Sequence, residues 1–269
     1  MEKQYRMALL IDAENVSKKY IKLIMDEITE YGVITYKRVY GDFTNPSVSS
    51  WKNSLIDFAM TPVFQFNYTK GKNASDSVMV IDAMDILYSG KVDGFCLVTS
   101  DSDFTKLAIR LREAGMLVVG MGEQKTPASL VSACQTFKYL DLLYKEADKS
   151  VSENDVKAEK DEKSSDTDLE ENIEKIEETD EFSNQNGIPS IEVIESELIA
   201  IITARTDGEE WVNLATIGNS IAKRVPGFDP RNYGYKKLKD FIEVFDSFEV
   251  QELPNPKNNL LTVVYIKMK

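Results

Sequence analysis

Through the first 145 residues, short apolar runs alternate with stretches whose apolar residues recur at helical spacing, and few folds accept that alternation. "MALLIDA" is strand-like, and Ile21, Ile24, Met25 and Ile28 after it lie at i, i+3, i+4, i+7, which predicts a helix. "VITYKRVY" is a second strand, and Val48, Trp51, Leu55 and Phe58 mark a second helix. "PVFQFNY" is a third strand, followed by a helix from about Asp76 to Tyr88. "GFCLVTS" is a fourth strand, and Phe104, Leu107, Ala108 and Leu111 give a fourth helix that Gly115 stops. "MLVVGMG" is a fifth strand, and "PASLVSAC" opens a last helix with Pro127 near its first turn. Strands and helices in strict alternation predict a parallel sheet covered by helices on both faces.

Charge divides the chain. Its net charge of −13 is concentrated in one place, because residues 1–145 hold 17 acidic and 17 basic groups, residues 146–186 hold 16 and 5, and residues 187–269 hold 12 and 10. The acidic middle segment is poor in aromatics and cannot bury enough apolar area to offset its ordering entropy, so it is expected to be a flexible linker. Such a linker leaves the relative orientation of its neighbours open. A short helix around "LEENIEKIEE" would place Leu169, Ile173 and Ile176 on one face.

Beyond the linker the pattern changes. Apolar positions from Ile194 to Ile202, then Leu214, Ile217 and Ile221, then Tyr235, Leu238, Phe241, Ile242 and Phe245 predict three helices. "SFEV" and "LLTVVYIK", joined by the turn-rich "PNPKNN", predict a hairpin. Three helices and a hairpin are the order of a winged helix-turn-helix module.

The chain has no histidine, so His-based triads and His metal ligands are excluded. Cys96 and Cys134 have no partner at metal or redox spacing and read as reduced core thiols. The start has no apolar leader with a cleavage site, and no stretch approaches the roughly 18 apolar residues of a membrane span. The expectation is a soluble, cytoplasmic protein with no membrane partner.

Carboxylates gather where strands end. "LLIDAEN" ends its strand at Asp12, "CLVTSDSDF" at Asp101 and Asp103, and "KGKNASD" delivers Asp76 to the start of a helix after a strand. In a parallel sheet these ends share one edge, where ligands bind. Two unit charges about 4 Å apart repel by roughly 4 kcal/mol at an effective dielectric near 20, so such a cluster asks for a cation. An all-oxygen set suits Mg²⁺ or Mn²⁺. Helix capping explains Asp76 or Asp101 taken singly, but not doubled carboxylates on adjoining loops.

"LLIDAEN", "KNASDSVMVIDAMDILYSGKVDGFCLVTSDSDF" and "LREAGMLVVGMGEQKTPASLVSACQTFKYL" resemble the NYN domain, a PIN-like nuclease family, over about residues 5–143. The resemblance implies a five-stranded parallel sheet and a metal-dependent ribonuclease site. Carried over, that site is Asp12, Asp76, Asp101 and Asp103 as metal ligands, with Asn15 and Asp82 as supporting polar positions. Some members of the family are not known to cleave anything. Lys70 and Lys72, before Asp76, and Lys106 and Arg110, on the fourth helix, are candidates for holding the RNA backbone.

In "YGYKKLKDFIEVF", Lys236, Lys237 and Lys239 fall on one short predicted helix, with Arg231 and Tyr233 before it and Lys223 and Arg224 close by in sequence. Basic groups interleaved with aromatics suit backbone contact and base stacking. The stretch from about 190 to 268 resembles the LOTUS domain, also called OST-HTH. The resemblance implies a winged-helix RNA-binding module, in some members with a preference for G-rich RNA and in others with protein partners.

Three segments are therefore expected: an NYN domain at 1–145, an acidic linker at 146–188 and a LOTUS domain at 189–269. The function expected is metal-dependent hydrolysis of single-stranded or structured RNA. The rival is a non-catalytic RNA-binding or scaffolding regulator that keeps the fold. A haloacid-dehalogenase-type phosphatase fits poorly, since "DAE" puts Glu14 where an acid–base Asp is needed, and a Toprim-like site would want Glu in place of Asp12.

Overall fold

The computed structural model describes residues 4–64, 74–147, 188–206, 210–255 and 258–269. Residues 148–187, which take in most of the linker expected at 146–188 and the helix expected around "LEENIEKIEE", lie outside the described residues. The first unit runs β1 (Tyr5–Asp12), α1 (Ile21–Thr29), β2 (Gly32–Gly41), α2 (Pro46–Ser49), α3 (Lys52–Asp57), β3 (Thr61–Phe64), α4 (Ala74–Tyr88) and β4 (Gly94–Val98). It continues with α5 (Thr105–Glu113), β5 (Leu117–Gly122), α6 (Ala128–Ala133), β6 (Thr136–Tyr139) and a helix α7 over 140–147.

All six strands are parallel, in the order β3-β2-β1-β4-β5-β6. Met7, Leu9 and Ile11 enter the core on one face, whereas Ala8 and Leu10 enter the core on the other. This alternation is the pleat of a strand covered from both sides. The expected five strands are corrected to six. β6 is only four residues long and follows a six-residue helix, so its buried Phe137 and Tyr139 made too short an alternation to read. The second expected helix is divided at Trp51 into α2 and α3.

The second unit consists of α8 (Ile191–Thr203), β7 (Val212–Asn213), α9 (Leu214–Arg224), α10 (Leu238–Ile242), β8 (Phe248–Asn255) and β9 (Asn258–Met268). β9 pairs antiparallel with both β7 and β8, giving three helices against a small sheet, as in a winged helix. Ile194, Leu198, Ile217, Ile221, Phe241 and Ile266 form its core.

The two units are docked. At the β6 edge of the large sheet, the Phe137 N–H donates to the Pro226 carbonyl at 2.7 Å. Gly227 permits this approach, since a Cβ there would sit 3.2 Å from the Tyr139 hydroxyl. Beside it lies a network of four charges, two from each unit. Arg231 donates to both oxygens of Glu27 on α1, at 2.6 and 3.0 Å, and to both oxygens of Asp229. Lys138 on β6 donates to Asp229 at 2.5 Å and lies 3.6 Å from Glu27. Glu27 and Asp229 are both buried.

Burial pushes the Asp229 carboxyl up, but Arg231 and Lys138 override it and hold it down to about 2. Glu27 and Tyr31 also face this network. Because the folded value lies below the ordinary 3.8, the stabilisation is complete above pH 4 and is lost as pH falls through about 2. Its size is about 2 kcal/mol. Asp229→Asn is expected to remove this part of the acid dependence, as read by chemical denaturation of both proteins between pH 2 and 5.

Candidate functional site

The strand order reverses direction between β1 and β4, since the chain builds outward to β3 on one side and to β6 on the other. In an open parallel sheet the crevice at such a reversal, beyond the strand C-termini, is where ligands bind. Ile11 pairs with Val98 there, so Asp12 and Thr99 emerge side by side.

Asp12 is 2% exposed, and each of its oxygens accepts two bonds. Oδ1 takes the backbone N–H groups of Glu14 and Asn15 at 3.1 and 3.3 Å. Oδ2 takes the Asn15 side-chain amide at 2.7 Å and the Thr99 hydroxyl at 2.9 Å. Burial raises the Asp12 pKa, and these four bonds only partly oppose it. Thr99 is fully buried, and its oxygen accepts the Asp101 N–H at 3.1 Å. One hydroxyl thus ties the end of β1 to the loop after β4.

Asp101 caps the next turn, its Oδ1 accepting the Asp103 N–H at 2.9 Å. Asp103 is exposed at the mouth of the crevice. Asp82, on α4, accepts bonds from Arg38 and Tyr40 of β2, and Tyr40 is the register partner of Asp12. Burial first, and the Asp82 carboxylate second, push the Tyr40 hydroxyl pKa up. Asp76 lies in the first turn of α4, and its side chain is outside the described residues, as are Lys70 and Lys72.

The donors at this edge are hard oxygens, the chemistry Mg²⁺ or Mn²⁺ takes. Among the described residues, however, no three carboxylates converge on a metal-sized space.

Sequence reasoning missed Thr99, Arg38, Tyr40 and Glu123. Glu123 follows β5 at the same edge, donates its N–H to Ser100 and accepts the Tyr20 hydroxyl at 3.2 Å. The rule that pointed to Asp12 and Asp101, a carboxylate just past a strand, would have found Glu123 in "GMGE".

Lys106 and Arg110 are exposed on α5, and Arg110 donates to the Tyr88 hydroxyl at 3.1 Å. In the second unit the expected contacts separate. Arg231 is spent on Glu27 and Asp229. Tyr233 donates its hydroxyl to Pro189 at 2.6 Å and packs on Phe228 and Phe241. Lys239 pairs with Glu252 and Glu243. Only Lys239 lies on α10, whereas Lys236 and Lys237 precede it and are exposed.

A parallel α/β domain with aspartates at its switch point, joined to a winged-helix unit, is the class that fold and site define. The chain belongs to the NYN family: the NYN domain matches residues 6–141, and the OST-HTH/LOTUS domain matches residues 189–260. An uncharacterized protein of Methanocaldococcus jannaschii is 29% identical over 125 residues, which cover 45% of this chain and 49% of that one. The chain thus spans about half the length of that curated relative. A crystal structure of a protein of unknown function from Vibrio parahaemolyticus is 18% identical with a TM-score of 0.44, covering 52% of this chain and 94% of that one. A solution structure of an uncharacterized protein from Nitrosomonas europaea is 24% identical with a TM-score of 0.26, covering 38% and 92%.

Thr99→Val keeps the shape but removes the hydroxyl that serves Asp12 and the Asp101 N–H. Leaving these groups unsatisfied is expected to cost about 1–3 kcal/mol, measured as a lowered urea midpoint.

Proposed function

We propose that the protein is a metal-dependent ribonuclease whose LOTUS unit also binds RNA. The observation that carries this reading is the placement of Asp12 and Asp101 across the β1–β4 switch point, joined through Thr99, with Asp103 at its mouth. Mg²⁺ or Mn²⁺ held by Asp12, Asp76, Asp101 and Asp103 would activate water and neutralise the scissile phosphate. Asn15 and Thr99 orient the Asp12 carboxylate. Asp82, bound by Arg38 and Tyr40, anchors α4 against β2 and so fixes the helix whose first turn carries Asp76. Lys106 and Arg110 hold the RNA backbone along α5, Lys70 and Lys72 do so before Asp76, and Lys236 and Lys237 do so on the LOTUS unit.

One observation favours a second reading. Asp12 already accepts four bonds, so it has no lone pair left for a cation unless Asn15 or Thr99 gives way. That arrangement suits a non-catalytic RNA-binding or scaffolding regulator. A panel of single-stranded and structured RNAs, incubated with Mg²⁺, Mn²⁺ or chelator, separates the two. Cleavage that requires metal and falls at least ~100-fold in Asp101→Asn is expected of the nuclease. RNA that is bound but stays intact under every condition establishes the regulator instead.

A further inference from the structure

Docking of the two units creates a cleft of about 600 Å³ that neither unit makes alone. One wall is Arg112, Ser132, Cys134 and Gln135, from the ends of α5 and α6, and the other is Lys223, Arg224 and Pro226, from the end of α9. Three cations line it, drawn from both units, and no carboxylate does. Residues 1–145 hold 17 acidic and 17 basic groups and residues 187–269 hold 12 and 10, so three cations with no carboxylate among them are a local concentration.

The side chains lining the cleft leave little but positive charge on offer. Cys134 is fully buried and donates to the Leu130 carbonyl. Gln135 is committed at both ends, to the Val118 N–H and the Met116 carbonyl. Arg112 uses one nitrogen on the Ser132 and Ala133 carbonyls, which fixes the guanidinium while its other nitrogens have no bond among the described residues. Arg224 meets Glu197 through a single nitrogen, in a pair that is exposed on both sides. Lys223 is exposed and has no ion pair among the described residues. A concave wall that gathers cations from both units and has no carboxylate in its lining focuses a positive field, which draws a polyanion.

We infer that this cleft is a phosphate-binding groove for an RNA chain, built jointly by Arg112, Lys223 and Arg224. The inference rests on the RNA-directed reading above. The groove lies at the opposite edge of the sheet from the aspartates, because α5 starts just past Asp103 and ends beside Arg112. Roughly 14 Å of helix separates the two. An RNA strand reaching both would be gripped away from the reacting phosphate, so the groove sets affinity and length preference and leaves the chemical step alone. The same docking that pairs Arg231 with Glu27 brings these three cations together.

The test is binding of a fluorescein-labelled oligouridylate to the full chain by anisotropy, with chelator present, between about 50 and 200 mM salt. Arg112→Gln, Lys223→Gln and Arg224→Gln combined are expected to weaken binding at least ~10-fold at the low-salt end. They should also reduce the slope of log affinity against log salt by about 2, near 0.7 per lost contact. Since Arg112 also holds α6, the Lys223→Gln, Arg224→Gln pair is measured as well and is expected to give about two-thirds of that slope change. Unchanged affinity and slope in a variant with an unaltered urea midpoint would overturn the groove while leaving the RNA-directed reading intact. Wild-type protein that binds no RNA would overturn that reading, and the groove with it. Thermal stabilisation by inorganic phosphate that the triple variant loses, without any loss of RNA affinity, would reassign the cleft to a small anion and also overturn the proposal.

Discussion

The burial of β1 on both faces is the constraint on which the rest of the structure depends. Met7, Ala8, Leu9, Leu10 and Ile11 are each 0% exposed, and full burial of a large aliphatic side chain contributes roughly 1.5–3 kcal/mol. The same strand ends in a carboxylate that is itself 2% exposed. A buried charge is tolerable only with its hydrogen bonds complete, so the loop over Glu14 and Asn15 and the hydroxyl of Thr99 are shaped around Asp12. The switch point thus joins a fully buried strand to a buried carboxylate, with Asp103 exposed just beyond it.

The other edge of the sheet answers a different physical demand. β6 presents an open row of backbone groups, and Pro226 accepts one of them while the second unit covers the edge. The four charges at this contact give no large net stabilisation against apolar packing, because desolvation offsets much of their attraction. They do penalise any other alignment, since each carboxylate loses the cation that the other unit supplies if the units slide. A linker length sets only how far apart two domains can drift, whereas paired buried charges select one arrangement. Arg231 illustrates the consequence: it looks like a nucleic-acid contact in sequence and is occupied by Glu27 of the other unit, whereas Tyr233 is occupied by Pro189 within its own unit.

Much of this was legible in the chain. Ile21, Ile24 and Ile28 on α1 and the apolar run of β1 revealed their elements because burial repeats with the period of the helix or the continuity of a covered strand. Asp12, Asp101 and Asp103 were readable because a charge directly after a buried strand has one place to go. β6 was not, since four residues hold too little periodicity. Nor was the role of Asp82, whose partners Arg38 and Tyr40 lie 44 and 42 residues away.

The sequence by itself determined the two folded units, the parallel α/β character of the first and the gathering of aspartates at one edge, because these follow from local period and strand direction. Only the tertiary structure decided which basic residues are spent and which are presented. Arg231 meets Glu27 across 204 residues, and Arg112 comes to face Lys223 and Arg224. Pairing of charges depends on distances of a few ångströms, and no local pattern encodes which distant group will arrive there.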